Sequence, residues 1–289
     1  MSDSPNAINW YPGHMSKAKR QMQEDLKIID AVVEILDARI PFSSKNPDID
    51  QMAKNKYRII ILNKADLADK ARTEEWKKYY EAKGFFVSAV DSRSGKGMKD
   101  VVELIRKACA EKIEKDRRKG IINRPIRAMI AGIPNSGKST FINSMVGKGA
   151  AKTGNKPGVT KGKQWIRLNK DIELLDTPGI LWPKFEDRSI GLKIAFIGSI
   201  NDEILYPEEM VCDLIGILKK EYPGTVDKRY GEGLEAVEKS FEILEKIAVI
   251  RACLKKGGEP DTEKAAKLVI DDLRSCKLGN ITLEKVADL

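Results

Sequence analysis

The 289-residue sequence predicts an α/β fold: a mostly parallel sheet with helices on both faces, followed by a small all-helical unit. Three observations predict it. Apolar runs alternate with amphipathic segments through the first two thirds, as in a parallel sheet covered by helices. A glycine-rich motif at 132–139 sits between an apolar run and a helical stretch, the setting of a phosphate-binding loop. Beyond about residue 184 the apolar periodicity becomes helical alone.

Taken in order, buried strands are expected at 31–36, 58–62, 85–87, 125–131, 164–168 and 172–175. Helices are expected near 16–29, 69–83, 97–116 and 138–147. The stretch 111–127 is a basic connector read as a solvated helix end and loop. In the last third, Met210, Val211, Leu214, Ile215 and Leu218 share one helical face, and Phe241, Leu244, Ile247 and Ala248 share another. Asp261 is placed to cap a helix running towards Lys277, with Gly279 ending it. Two domains are expected, 1–183 and 184–289.

A net charge of +9 suits a polyanionic partner such as RNA, DNA or an anionic membrane surface, and equally a soluble basic enzyme. Cys109, Cys212, Cys253 and Cys276 lie far apart with no Cys/His pairing, so neither a zinc site nor a disulfide framework is expected. No apolar stretch reaches transmembrane length, and the N-terminus fits neither a secretory signal nor a transit peptide. The expectation is a cytoplasmic protein, monomeric when free.

Residues 132–139, Gly-Ile-Pro-Asn-Ser-Gly-Lys-Ser, match G-x-x-x-x-G-K-[ST]. Backbone N–H groups from Asn135 to Thr140 and the following helix N-terminus form a nest for phosphates. Lys138 would bridge the β- and γ-phosphates, and the Ser139 hydroxyl would ligate Mg2+. Asp176-Thr177-Pro178-Gly179 follows a strand; Asp176 can hold Mg2+ and the Gly179 N–H can meet the γ-phosphate. Thr160, in the lysine-rich segment 148–163, can offer a hydroxyl to Mg2+ and an N–H to the γ-phosphate. Asn63-Lys64-Ala65-Asp66 supplies a carboxylate for guanine N1–H and N2–H2, which adenine does not offer. The Lys64 stem would lie against the base, and Ser88-Ala89, read as following the next strand, would present an N–H to guanine O6. The ligand expected is GTP or GDP with Mg2+.

The guanine motif here precedes the phosphate loop, the reverse of an ordinary small G protein. This order, with Asn9-Trp10-Tyr11-Pro12-Gly13-His14-Met15, the run Asp37-Ala38-Arg39-Ile40-Pro41 with Ser43, Asn46 and Pro47, and the tail Gly279-Asn280-Ile281-Thr282, resembles the circularly permuted ribosome biogenesis GTPase A family. The resemblance covers nearly the whole chain. It implies a P-loop NTPase G domain in circularly permuted order and a C-terminal helical domain that binds RNA or the ribosome. It also implies a GTP hydrolase acting in late maturation of the large (50S) ribosomal subunit, with that subunit's precursor, rRNA and ribosomal proteins together, as partner.

Ras-like enzymes place a water-orienting glutamine directly after the Asp-x-x-Gly glycine. Here that residue is Ile180, whose alkyl chain cannot polarise water. The resemblance points to His14, the sole histidine in the chain, as the replacement, completing a catalytic set with Lys138 and Thr160. The alternative is a group supplied by the ribosome. In related GTPases an asparagine at the place of Asn135 ligates K+, so K+ is expected here as well; the alternative for Asn135 is a hydrogen bond that stabilises the loop. A different functional class, a GTP-dependent RNA-binding scaffold whose own hydrolysis is incidental, is kept open by Ile180.

Overall fold

The computed structural model describes residues 13–121, 124–147, 164–182, 185, 187–200 and 206–289, with the backbone alone at 13–15. Strands β1 (Ala31–Asp37), β2 (Tyr57–Asn63), β3 (Phe86–Val90), β4 (Ile126–Ala131), β5 (Gln164–Arg167) and β6 (Ile172–Asp176) form one six-stranded sheet. Their order is β3-β2-β1-β4-β6-β5, and every neighbouring pair is parallel except β5 with β6. The chain builds outward from β1 in one direction; in the other it runs from β4 to the edge strand β5 and returns as β6 between them. The sheet therefore has its topological switch point between β1 and β4, where doubly wound folds bind ligands beyond the strand carboxyl ends. β1 reads Ala-Val-Val-Glu-Ile-Leu-Asp and is buried at all seven positions, as a central parallel strand must be.

Helices α1 (Gly13–Asp25), α2 (Pro47–Met52), α3 (Lys70–Ala82), α4 (Met98–Ala108), α5 (Ala110–Arg118) and α6 (Lys138–Val146) accompany the sheet. The expected helix at 16–29 begins earlier and gives way to a 3-10 turn at Leu26–Ile28. The expected helix at 97–116 is divided at Cys109, which is buried against the sheet. Past it, α5 buries none of its residues, in line with a solvated connector. The short helix α2 was not anticipated, although its signal is plain: the Asn46 side chain accepts from the Asp48 N–H, Pro47 holds the first position, and Asp48 and Asp50 lie in the first turn.

The last third folds as α7 (Arg188–Phe196), α8 (Pro207–Glu221), α9 (Thr225–Tyr230), α10 (Ser240–Ile250) and α11 (Thr262–Arg274). Met210, Val211, Leu214, Ile215 and Leu218 are all buried along α8. On α10 the inward stripe is Ile243, Leu244, Ile247 and Ala248. Phe241, expected on that face, stands about half exposed at 46% because it precedes the stripe at the first turn. Asp261 caps α11 through a 3.0 Å bond from the Lys264 N–H, and the helix stops at Arg274, with Cys276 taking the left-handed conformation before Gly279.

The expected domain boundary is blurred by two features. Leu181 and Trp182, together with Ile40 and Ile133 from the sheet side, sit in the same apolar core as α7–α11. The segment after α11 also returns to the sheet domain. Ile281 N–H donates to the Leu67 carbonyl at 3.3 Å, Leu283 N–H to the Arg39 carbonyl at 2.7 Å, and Asn280 Nδ2 to the Asp66 carbonyl at 2.5 Å.

Candidate functional site

The phosphate loop lies between β4 and α6, at the switch point. Two of its glycines are required by close backbone approach. Gly132 has φ +145°, and a Cβ there would lie 2.5 Å from the Ile35 carbonyl oxygen. Gly137 has φ +94°, and a Cβ there would lie 2.3 Å from Asn63 Nδ2. The second approach is what lets the guanine motif touch the loop. Asn63 Nδ2 donates to the Ser136 carbonyl at 2.8 Å, while Asn63 Oδ1 accepts from the Ser92 hydroxyl at 2.7 Å. Lys64, held at φ +58°, donates to the Asn135 carbonyl at 2.6 Å and pairs with Asp37 at 2.9 Å.

Asn63 and Lys64 thus bridge the two halves of a rearranged chain. Asp66 stands exposed at the rim, its carboxyl raised by partial burial and by Asp91 nearby. Ser88 and Ala89 depart from expectation. They lie inside β3, not after it, because the strand runs on to Val90 with Ala89 opposite Leu62 and Val90 opposite Asn63. Ser92, which the sequence reading passed over, makes the contact to Asn63; its position just past the carboxyl end of a strand was the available signal.

On the phosphate side, Lys138 is buried and folded over the loop, donating to the carbonyls of Ile133 at 2.8 Å and Gly132 at 3.2 Å. Burial pulls its ammonium down to about 8, against the opposing effect of Asp176. Asp176 is buried at the end of β6, and burial pushes its carboxyl up to about 6 despite Lys138 and the Thr177 N–H. Its Oδ1 is buried with no hydrogen-bond partner among the described residues. Each of these charges is costly by itself in the crevice. An anion on Lys138 and a cation on Asp176 would favour both ionised forms. Ser139 and Thr140, half-buried in the first turn of α6, share this corner.

Gly179 presses its backbone on the loop: a Cβ there would meet Pro134 Cα and N at 2.8 Å and Lys138 Nζ at 2.9 Å. Asn135, at φ +57°, donates its Nδ2 to the Gly198 carbonyl at 2.5 Å, and the Ser199 hydroxyl donates to the Pro134 carbonyl at 2.5 Å. The phosphate loop is thereby bonded to the end of α7. Ile180 is 3% exposed, in an apolar cluster with Met22 and Leu26, Val32, Met129 and Leu175. Position 14 lies at the start of α1, whose later residues Ala18 and Met22 belong to the same apolar cluster as Ile180. The His14 side chain, Thr160, and Trp10 and Tyr11 lie outside the described residues.

The guanine-type motif bonded to the floor of a phosphate loop makes this a G domain, and its motif order makes it a circularly permuted one. Comparison with known proteins agrees. The family model described as 50S ribosome-binding GTPase matches residues 127–271. Ribosome biogenesis GTPase A of Bacillus cereus is 46% identical over 96% of this chain and 93% of its own length. That of Priestia megaterium is 47% identical over 96% of each chain. A solved structure, GNP-bound YlqF from T. maritima, superposes with a TM-score of 0.69 at 30% identity over 93% of this chain and 98% of the other. The chain belongs to the ribosome biogenesis GTPase A family. It is a guanine-nucleotide-binding GTP hydrolase that acts in ribosome biogenesis.

Proposed function

We propose that this protein binds GTP in the crevice between β1 and β4 and hydrolyses it to GDP and phosphate while engaged with a precursor of the large ribosomal subunit. The observation that carries the reading is the presence in one crevice of a buried Lys138 and a buried Asp176 whose Oδ1 has no hydrogen-bond partner among the described residues, beside a loop closed by Gly179. A phosphate against the lysine and a cation against the aspartate satisfy both. Asp176, Ser139 and Thr160 would hold Mg2+, which supplies positive charge against the β- and γ-phosphate oxygens. The Asn135 amide oxygen would ligate K+, its Nδ2 being directed to Gly198.

The chain's own residues do the rest. The Asp66 carboxylate selects guanine, with Asn63 and Lys64 fixing its loop to the phosphate loop. Ser88-Ala89, near the end of β3, would present a backbone N–H to guanine O6. The Gly179 N–H faces the γ-phosphate. Ile180 is buried and apolar and orients no water, so His14, carried on the helix that packs beside Ile180, takes that role. The helical unit, with the segments that join it to the sheet domain, contacts ribosomal RNA or proteins in the cytoplasm, and the free protein is a monomer.

Three basic side chains of the helical unit and the segment after it are engaged within the chain. Arg274 donates to the carbonyls of Ala195 and Phe196 at 2.8 Å, Lys277 pairs with Asp272 at 3.3 Å, and Lys285 pairs with Glu221. They serve the fold first. Among the described residues no helix is long and apolar enough to cross a membrane.

GTP turnover with and without large-subunit precursors tests the reading. Wild-type turnover should rise at least about tenfold on the particle, and His14→Ala should lose most of that rise while still binding the particle, a general-catalysis loss on the order of 10²-fold. Undiminished His14→Ala turnover on the particle would transfer the water-orienting role to the ribosome. Unstimulated wild-type turnover on a bound particle would leave a nucleotide-gated scaffold.

A further inference from the structure

The segment that leaves β1 at the switch point, 37–47, belongs to no nucleotide motif, yet it is bonded to the guanine-type motif at one end and to the loop after Gly179 at the other. Asp37 pairs with Lys64, and the Arg39 backbone carbonyl accepts from Leu283. At its far end Asn46, 1% exposed, makes three bonds through its side chain and its own N–H. Its Oδ1 accepts from the Asp48 N–H at 2.9 Å, capping α2. Its own N–H donates to Glu34 Oε1 at 3.0 Å. Its Nδ2 donates at 3.0 Å to the carbonyl of Ile180, the residue directly after Gly179.

Ile180 is consequently held on three sides. Asn46 holds its carbonyl, its N–H donates to the Gly132 carbonyl at 3.3 Å, and its side chain is buried in the cluster under α1. Gly179 is the adjoining residue, and its backbone lies against Pro134 and Lys138 Nζ. A loop fixed on one side of the glycine keeps the glycine backbone beside Lys138. Without that fixation, the loop's ordering would have to accompany γ-phosphate binding and would weaken it. Only an amide does this here: a carboxylate could cap α2 but would face the Ile180 carbonyl with no proton, and a serine could cap but not reach.

We propose that Asn46 is a positioning residue for the γ-phosphate of GTP, acting through the Ile180 carbonyl on Gly179. The proposal rests on the reading that the Gly179 N–H meets the γ-phosphate. It predicts a loss confined to the triphosphate, since GDP has no group at that position. A purely structural role for Asn46 would weaken both nucleotides together.

The test is the dissociation constant of the intact protein for GDP and for a non-hydrolysable GTP analogue, each with Mg2+. Asn46→Ser keeps the α2 cap and removes the reach to Ile180. It should bind GDP within about twofold of wild type and the analogue about tenfold more weakly, the scale of one lost buried hydrogen bond. Asn46→Asp keeps the cap acceptor and removes the donor, and should show the same selectivity if the serine variant folds poorly. Equal losses for both nucleotides, or no loss for either, overturn the proposal. Hydrogen exchange at the Gly179 amide of the wild type tests the underlying reading separately. Protection gained with the analogue over GDP upholds that reading even if the Asn46 variants are unselective, and no gain overturns both.

Discussion

Lys64 is the residue in which nucleotide recognition and the fold meet. Its ammonium is shared between the Asn135 carbonyl and Asp37, and Asp37 is also gripped by Arg39, whose Nε and terminal nitrogen donate at 2.9 and 2.8 Å. The two cations hold the buried Asp37 carboxyl well below its usual range, against the cost of burial. Asp37→Asn should destabilise the protein by about 3–5 kcal/mol, because it leaves two cations without their counter-charge. The pH dependence has a fixed sign. A carboxylate with a folded-state value below its ordinary 3.8 contributes stability above that value and loses it as the pH falls towards the folded value. Urea unfolding should therefore show the full wild-type advantage over Asp37→Asn at about pH 6 and a shrinking one below about pH 4. An advantage constant across that range would mean that Asp37 acts through the geometry of its hydrogen bonds and not through its ionisation. Asn63, Lys64, Lys138, Asp176 and Gly179 were legible in the sequence because their motifs encode chemistry at fixed spacing. Asp37, Asn46 and Ser92 were harder to read, because their partners lie far away in sequence and only the sheet order brings them together.

At the scale of elements, the returning segment after α11 straps the helical unit to the sheet domain. Glu284 is buried and accepts from the backbone N–H groups of Phe42 at 2.7 Å and Ser43 at 3.1 Å and from the Ser43 hydroxyl, with Lys193 at 3.5 Å. Trp76 Nε1 donates to the Glu284 carbonyl at 3.2 Å, and Tyr222 and Thr282 exchange bonds at 3.0 and 2.9 Å. Glu284→Ala leaves three donors of the loop after β1 without their acceptor and should cost about 2–4 kcal/mol in chemical denaturation. Glu284→Gln, which keeps an acceptor and removes a charge that burial disfavours, should cost clearly less. Equal costs would place the effect in the carboxylate charge, which both variants remove, and not in the number of acceptors. Element type was legible wherever periodicity was strong, as on α8. The strand end at Val90 and the break at Cys109 were not, because tertiary pairing and burial set them and local sequence does not.

Across the whole molecule, two apolar cores meet at successive residues. Ile180 belongs to the cluster under α1, and Leu181 and Trp182 belong to the core of the helical unit. Ile133 of the phosphate loop and Ile40 of the loop after β1 enter that second core, and Asn135 is bonded to the end of α7. Circular permutation leaves the sheet intact while placing the helical unit directly after the Asp-x-x-Gly loop and α1 beside the buried Ile180. A shift of Gly179 between nucleotide states is then a shift at the root of the helical unit. Linkage makes the effect reciprocal: a partner that favours one arrangement of that unit must bind more tightly with the matching nucleotide. The most direct measurement is the affinity of the intact protein for large-subunit precursors when loaded with a non-hydrolysable GTP analogue and when loaded with GDP. The account predicts binding at least about tenfold tighter in the analogue-bound form, a coupling within the usual range for linked sites. Equal affinities for the particle in the two forms would contradict it.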